Sequence, residues 1–384
     1  MSRLVSQSGT LMPGFDCDAL ALPGVRAIEP YQPGKPLAEL EREYGISGAI
    51  KLASNENPLG PSPKARAAAQ AALADIERYP DGGGFALKRA LADRLGVGPD
   101  QITLGNGSND VLELVARAFA GSHSEIVYAA HAFAVYGLVT RAVGARAVVV
   151  RAKAWAHDLA AMRAVITART RLVYLANPNN PTGSWFTRDE LDAFLRGLPP
   201  HVLVVLDEAY SEYVEEAEYP NGVEWVARYP QLVVTRTFSK AYGLAGLRVG
   251  YAVSDASVAS YMNRVRQPFN LNSVALAAAA AALDDDEHVA RSVALNRAGL
   301  AQLRAGAAAL GLACLPSVGN FLCVEIGRAA APVYDALLRR GVIVRPIANY
   351  GMPNHLRITV GLPEENNRCL QALAEALPSV QVHT

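Results

Sequence analysis

Lysine is scarce in this chain of 384 residues, with six lysines standing against 30 arginines. They are Lys35, Lys51, Lys64, Lys88, Lys153 and Lys240, so any lysine chemistry has few candidates. Net charge is missing too, because Lys+Arg 36 balance Asp+Glu 36. A neutral chain lacks the clustered basic excess that nucleic-acid binding by counterion release requires. It equally lacks an acidic tail or a polybasic membrane-surface segment. Cys17, Cys314, Cys323 and Cys369 are scattered, with no C-x-x-C pair and no clustered histidine. That pattern argues against a disulfide framework or a structural zinc site. The longest apolar run, Val274 to Leu283, has ten residues. It is too short to span a bilayer and reads as a buried, alanine-rich helix. The first 25 residues show no basic start followed by an apolar core, so no signal peptide is expected. The expectation is a soluble cytoplasmic protein with no metal, no nucleic-acid partner and no membrane partner.

What is present is a composition of 51% hydrophobic and 19% charged residues, enough for a large core in two domains or one large one. Pro13, Gly14, Pro23, Gly24 and Pro30 suggest an irregular arm over 1–30. Ser62-Pro63 opens a helical stretch, Lys64 to Glu77, with Ser62 as cap. Strand-like and helix-like segments then alternate. The strand readings are Gln101–Leu104, Ser124–Tyr128, Ala145–Val150, Arg171–Leu175, His201–Leu206, Gln231–Thr235 and Arg248–Val253, and Asp110–Phe119 reads as a helix. Several of these runs are almost continuously apolar and β-branched, the mark of strands covered on both faces by helices. Helical pattern resumes over 254–309, and further strands are expected at Asn320–Glu325, Gly341–Arg345 and His355–Val360. The expected fold is α/β, a large domain with a mostly parallel central sheet flanked by helices, plus a smaller α+β domain. The small domain is assigned to 31–63 and 284–384, the large one to 64–283.

In such sheets ligands sit beyond the carboxyl ends of the strands. Four loops there carry unusual polar sequence. Gly105-Asn106-Gly107-Ser108-Asn109-Asp110 runs into a helix whose N-terminus offers free N–H groups to a phosphate, although Asp110 stands where a dinucleotide motif needs its third glycine. Asn177-Pro178-Asn179-Asn180-Pro181-Thr182-Gly183 is rigid and rich in amides. Asp207 closes the apolar run His201–Leu206, and a carboxylate there suffers desolvation unless donors or a cation meet it. Tyr210 lies three residues on. The fourth segment, Thr237 to Gly250, sets Lys240 among hydroxyls, glycines and aromatics with few neighbouring charges, and a lysine so placed has the depressed pKa that imine formation requires. Alone, each segment also reads as an ordinary turn, helix cap or surface lysine. Together they supply an imine-forming lysine, a carboxylate, a phenol, an amide and a phosphate cradle, the set needed to hold pyridoxal phosphate.

At this point the chain resembles the fold type I, aspartate-aminotransferase-like pyridoxal-phosphate enzymes, and among them the histidinol-phosphate aminotransferases. The resemblance runs from Tyr31-Gln32-Pro33-Gly34-Lys35-Pro36 and Leu52-Ala53-Ser54-Asn55-Glu56-Asn57-Pro58 through Arg78-Tyr79-Pro80 and the four loops to Leu356-Arg357-Ile358-Thr359-Val360-Gly361. It implies that Lys240 forms the aldimine with the cofactor and later moves the substrate proton. It further implies that Asp207 pairs with the pyridine nitrogen and that Asn180 and Tyr210 bond the ring hydroxyl. Ser108, Asn109, Thr237, Ser239 and Arg248 would hold the phosphate, reached also by Tyr79 from the partner of a homodimer with a shared active site. Phe133 would stack on the ring, and since many relatives have Tyr there, a phenol role at that position is lost. Arg357 and Arg345 would bind substrate anions, with Tyr31 and Asn55 lining that side. The implied reaction is amino transfer between L-histidinol phosphate and 2-oxoglutarate in histidine biosynthesis. An aromatic amino-acid aminotransferase on the same scaffold is the alternative, and a decarboxylase of a phosphorylated amino acid a more distant one. A ligand-sensing regulator domain is not expected, because the length leaves no room for a DNA-binding domain. A catalytically dead homologue would not retain Lys240, Asp207 and Arg248.

Overall fold

A computed structural model describes residues 16–31 and 34–379. Pro13, Gly14, Gln32 and Pro33, which figured in the sequence reading, lie outside the described residues. The described part of the arm is less irregular than its prolines suggested. It forms two single-turn helices, Cys17–Leu20 and Pro23–Arg26, the first capped by Asp16 Oδ1 accepting from Ala19 N at 3.1 Å.

The first strand is the short β1 (Ile50–Lys51). The main sheet follows from β2 (Ile102–Asn106), β3 (Glu125–Ala129), β4 (Arg146–Val150), β5 (Thr170–Ala176), β6 (Leu203–Asp207), β7 (Leu232–Thr237) and β8 (Val249–Val253). Their order is β2-β8-β7-β6-β5-β3-β4. Every pair is parallel except the two that β8 makes, to β2 and to β7. The apolar runs explain themselves here, since Leu172 to Leu175 and Val204 to Leu206 are all fully buried between helix layers. The alanine-rich run forms the helix Ser273–Ala282, which buries Ala275, Ala278, Ala279 and Ala282 against the helix Pro63–Ala72. Small side chains let the two axes approach closely. Ser62 Oγ caps the second of these helices at Ala65 N, 3.1 Å. The helical stretch 254–309 divides into Ala256–Val265, Ser273–Ala282 and Asp286–Ala309.

A second sheet is built from β9 (Ala313–Cys314), β10 (Phe321–Glu325), β12 (Arg345–Pro346) and β13 (His355–Thr359), in the order β12-β13-β10-β9. The run Gly341–Arg345, read from sequence as one strand, is divided. Its first part, β11 (Val342–Ile343), pairs in parallel with β1, and Arg345 opens β12 in the other sheet. The two largest apolar clusters are separate, one drawn from residues between Ala65 and Leu283, the other from Leu52 and residues between Leu300 and Ala376. Among the described residues no helix is long and apolar enough to cross a membrane.

Candidate active site

Because β8 alone runs backwards, the carboxyl ends of β2, β5, β6 and β7 and the start of β8 share one edge of the main sheet. The four polar loops gather there, facing β12 and β13. Of the residues named from sequence, all except Tyr79 line one cleft. Tyr79 lies apart, 84% exposed and stacked on Phe269 with ring centroids 4.8 Å apart.

Lys240 follows β7 and donates from Nζ to the Ser54 carbonyl at 2.9 Å. Its ammonium lies 5.8 Å from the Tyr210 ring centroid. Burial, assisted by the Arg357 and Arg248 cations, lowers its pKa to about 7. Few charges neighbour Lys240 in sequence, but the fold brings the distant Arg357 beside Arg248 of the same loop, and both act in the same direction as desolvation. The other lysines differ: Lys35 pairs with Glu39 and Glu43, Lys51 pairs with Glu56, and Lys64 donates to the Asp284 carbonyl. Lys88 is half-buried, and burial lowers its pKa as well, but it does not line the cleft.

Asp207, 5% exposed, ends β6 on the floor of the cleft. Its Oδ2 accepts from the Tyr136 hydroxyl at 2.9 Å and its Oδ1 from Thr235 Oγ1 at 3.0 Å. Burial raises its pKa to about 6, with these two donors opposing the rise. Tyr136 and Thr235 were not identified from sequence. Their signals were faint: Tyr136 sits three residues after Phe133, hence near it on the helix Ala134–Ala142, and Thr235 shares a strand face with Thr237.

At the next station, Ser108 and Asn109 open the helix Ser108–Phe119, whose first N–H groups face the cleft. Asp110, the residue that spoils the dinucleotide pattern, fixes this loop by accepting from Asn106 N and Asn270 Nδ2, both at 2.8 Å. Arg248 adopts a left-handed backbone (φ 58), and its guanidinium fills the space that a side chain at Gly107 would need. A Cβ there would lie 2.3 Å from Arg248 Nη2, and one at Gly250 would lie 2.3 Å from Ser108 N. Arg248 Nη1 also reaches Ser239 Oγ at 3.4 Å, and Ser239 N donates to Thr237 Oγ1 at 3.1 Å. A helix N-terminus, hydroxyls and a guanidinium thus converge on one point, an arrangement suited to a phosphate group.

Across the cleft, Arg357 on β13 and Arg345 on β12 are register partners of an antiparallel pair. Arg357 donates from Nη2 to the Ala53 carbonyl at 2.6 Å and from Nη1 to Asn180 Oδ1 at 2.5 Å. It has no carboxylate partner among the described residues and its Nε is buried without an acceptor, so it is not part of a structural ion pair. Arg345 stacks its guanidinium on Tyr31 at 5.5 Å. Asn55, left-handed at φ 56, donates from Nδ2 to the Tyr210 hydroxyl at 2.9 Å and is clamped by Thr359 and Asn320. Burial raises the Tyr210 pKa to about 12, so its proton remains available to donate. The cleft therefore contains a lysine amine near neutrality, a buried carboxylate, a phosphate-shaped cradle and two adjacent guanidiniums. These parts fit a phosphorylated aromatic aldehyde, with room for an anionic second molecule opposite.

Comparison with known proteins agrees with that fit. The model of aminotransferase class I and II matches residues 47–373. Histidinol-phosphate aminotransferase 2 of Pseudomonas fluorescens strain Pf-5 is 63% identical over 361 residues, covering 94% of this chain and 98% of that protein. Its namesake in Pseudomonas aeruginosa strain PAO1 is 61% identical, with the same coverage of 94% and 98%. Among solved structures, histidinol-phosphate aminotransferase from Sinorhizobium meliloti in complex with pyridoxal-5'-phosphate superposes with a TM-score of 0.85 at 31% identity, over 93% of this chain and 97% of that one.

Proposed function

The chain belongs to the aminotransferase class I and II family, and on that premise we propose that it is a pyridoxal-phosphate enzyme acting on L-histidinol phosphate. It transfers the amino group to 2-oxoglutarate, giving imidazole-acetol phosphate and glutamate, a step of histidine biosynthesis. The observation that carries the reading is a single cleft in which Lys240, held near neutrality, shares the space with Asp207 and faces the Arg345–Arg357 pair.

Bound pyridoxal phosphate supplies an aldehyde and a ring that accepts electrons. Asp207 would hold the ring nitrogen in its protonated form, and Asn180 and Tyr210 would donate to the ring hydroxyl. Phe133 would stack on one face of the ring. Ser108, Asn109, Thr237, Ser239 and Arg248 would hold the phosphate. Lys240, neutral at working pH in an appreciable fraction, takes the proton from the substrate carbon and returns it. The Ser54 carbonyl gives its amine a resting position within reach. Arg357 and Arg345 grip whichever anion arrives, since a guanidinium fork accepts phosphate or carboxylate alike. Tyr31 and Asn55 line that side of the cleft.

The functional unit in this reading is a homodimer, in which Tyr79 of the partner subunit reaches the cofactor phosphate. The high exposure of Tyr79 and its stack with Phe269 support this. The reading also divides the chain into an arm (1–30), a small domain (31–63 and 284–384) and a large domain (64–283), a division supported by the two separate apolar clusters. It places the enzyme in the cytoplasm, in keeping with four free cysteines. A steady-state panel with 2-oxoglutarate as acceptor tests the substrate. Brisk turnover of histidinol phosphate beside slow turnover of phenylalanine and tyrosine is expected, and the reverse order would reassign the enzyme to aromatic amino acids.

A further inference from the structure

Asp207 makes no ion pair with a side chain among the described residues, and the donors that oppose its protonation are two hydroxyls and the Ala209 backbone N–H. One of them, Tyr136, is fully buried and does not line the cleft. Its ring stacks on Tyr174 with centroids 4.7 Å apart and an interplanar angle of 0°, and Tyr174 is itself tied by its hydroxyl to the Leu112 carbonyl at 2.8 Å. On another side the Tyr136 ring meets Phe133 edge-on, 5.9 Å away at 89°. A single anchored side chain therefore touches both the carboxylate assigned to the ring nitrogen and the aromatic assigned to the ring face. Burial and the Asp207 charge push the Tyr136 phenol far above its ordinary range, so it remains a donor.

We propose that Tyr136 is a positioning residue whose hydroxyl keeps Asp207 ionised and aimed at the cofactor nitrogen while its ring sets the tilt of Phe133. The proposal rests on the reading that Asp207 meets that nitrogen. A hydrogen bond donated to a carboxylate favours the charged form and so opposes the desolvation that raises the Asp207 pKa. Each oxygen keeps a second lone pair, so the Tyr136 and Thr235 bonds leave room for an incoming N–H. Thr235 shares the electrostatic task, but only Tyr136 also reaches Phe133.

The test titrates apoenzyme with pyridoxal phosphate and with its 1-deaza analogue, in which carbon replaces the ring nitrogen. Wild type should prefer the natural cofactor. Tyr136→Phe keeps both ring contacts and should narrow that preference about tenfold, the scale of one hydrogen bond to a charged acceptor, with affinity for the analogue nearly unchanged. An undiminished preference in Tyr136→Phe overturns the proposal. Wild type failing to discriminate, or Asp207→Asn retaining full discrimination, overturns instead the reading of Asp207 beneath it. Partial unfolding of a variant cancels in the ratio, because both ligands bind the same folded molecules. Tyr136→Leu should additionally weaken the analogue through Phe133, and equal analogue affinity in the two variants would refute the role of the ring.

Discussion

Asp207 and Glu208 are adjacent carboxylates, 5% and 0% exposed, that face opposite sides of the main sheet. Glu208 has a full set of partners: Arg236 Nε at 3.0 Å, Arg236 Nη2 at 2.7 Å and Gly222 N at 2.8 Å. Asp207 accepts from hydroxyls and pairs with no cation among the described residues. Burial raises both pKa values, but only Glu208 has a guanidinium opposing the rise. The pair shows that burial alone does not mark a functional carboxylate. What distinguishes Asp207 is that it accepts from hydroxyls rather than a guanidinium and lines the cleft.

The sharpest way to break the comparison is Asp207→Asn. It should lower kcat about 1,000-fold, the scale of removing one partner from a buried charge pair, while thermal unfolding shows stability unchanged or improved. On the other face Arg236→Ala should do the opposite. Stranding Glu208 should cost about 3–5 kcal/mol in urea unfolding, with kcat per folded molecule close to wild type. A collapse of kcat at undiminished stability would mean that the two faces are not separate in function. The third prediction concerns Lys240. Capture of pyridoxal phosphate by apoenzyme needs the neutral amine, so its rate should rise with pH through about 7. Arg357→Ala removes a cation that disfavours the ammonium, and stopped-flow absorbance should find the midpoint at higher pH. A midpoint that stayed or fell would refute the coupling. The smallest effect is expected at Glu212, a second carboxylate near Arg236 whose Oε2 is enclosed without a partner. Burial raises its pKa to about 7, above the unfolded value of 4.5. Its contribution to stability is therefore full below the unfolded value and lost as pH rises through about 7. Glu212→Gln should raise Tm by about 3 °C at pH 8 and change little at pH 4, as calorimetry can check.

The same contrast explains what was legible in the sequence. Strands such as Thr170–Ala176 and Leu203–Asp207 announced themselves because covering on both faces demands unbroken apolar runs, and the loops after them stood out by polarity. Lys240, Asp207 and the glycines around Arg248 could thus be proposed from local composition. Long-range partners could not. Tyr136 lies 71 residues from Asp207, and Ser54 lies 186 from Lys240, with nothing in either segment announcing the other. The split of Gly341–Arg345 was hidden for a related reason. An apolar run looks alike whether one sheet accepts it or two share it, and the choice is made by β1 and β13.

The reversed strand β8 has a consequence for how the family can vary. Thr237 and Gly250 are held opposite each other in the β7–β8 ladder, and Lys240 and Arg248 both lie on the excursion between them. That ladder acts as a ruler whose two ends are fixed and whose span sets the distance between Lys240 and Arg248, the residues proposed to hold the cofactor's aldehyde and phosphate ends. Lengthening or shortening the excursion would change that distance directly, so insertions and deletions there should be as damaging as substitution of Lys240 or Arg248 themselves. Elsewhere on this sheet edge a loop can grow outward into solvent, but here chain length itself sets the spacing of the two proposed cofactor contacts.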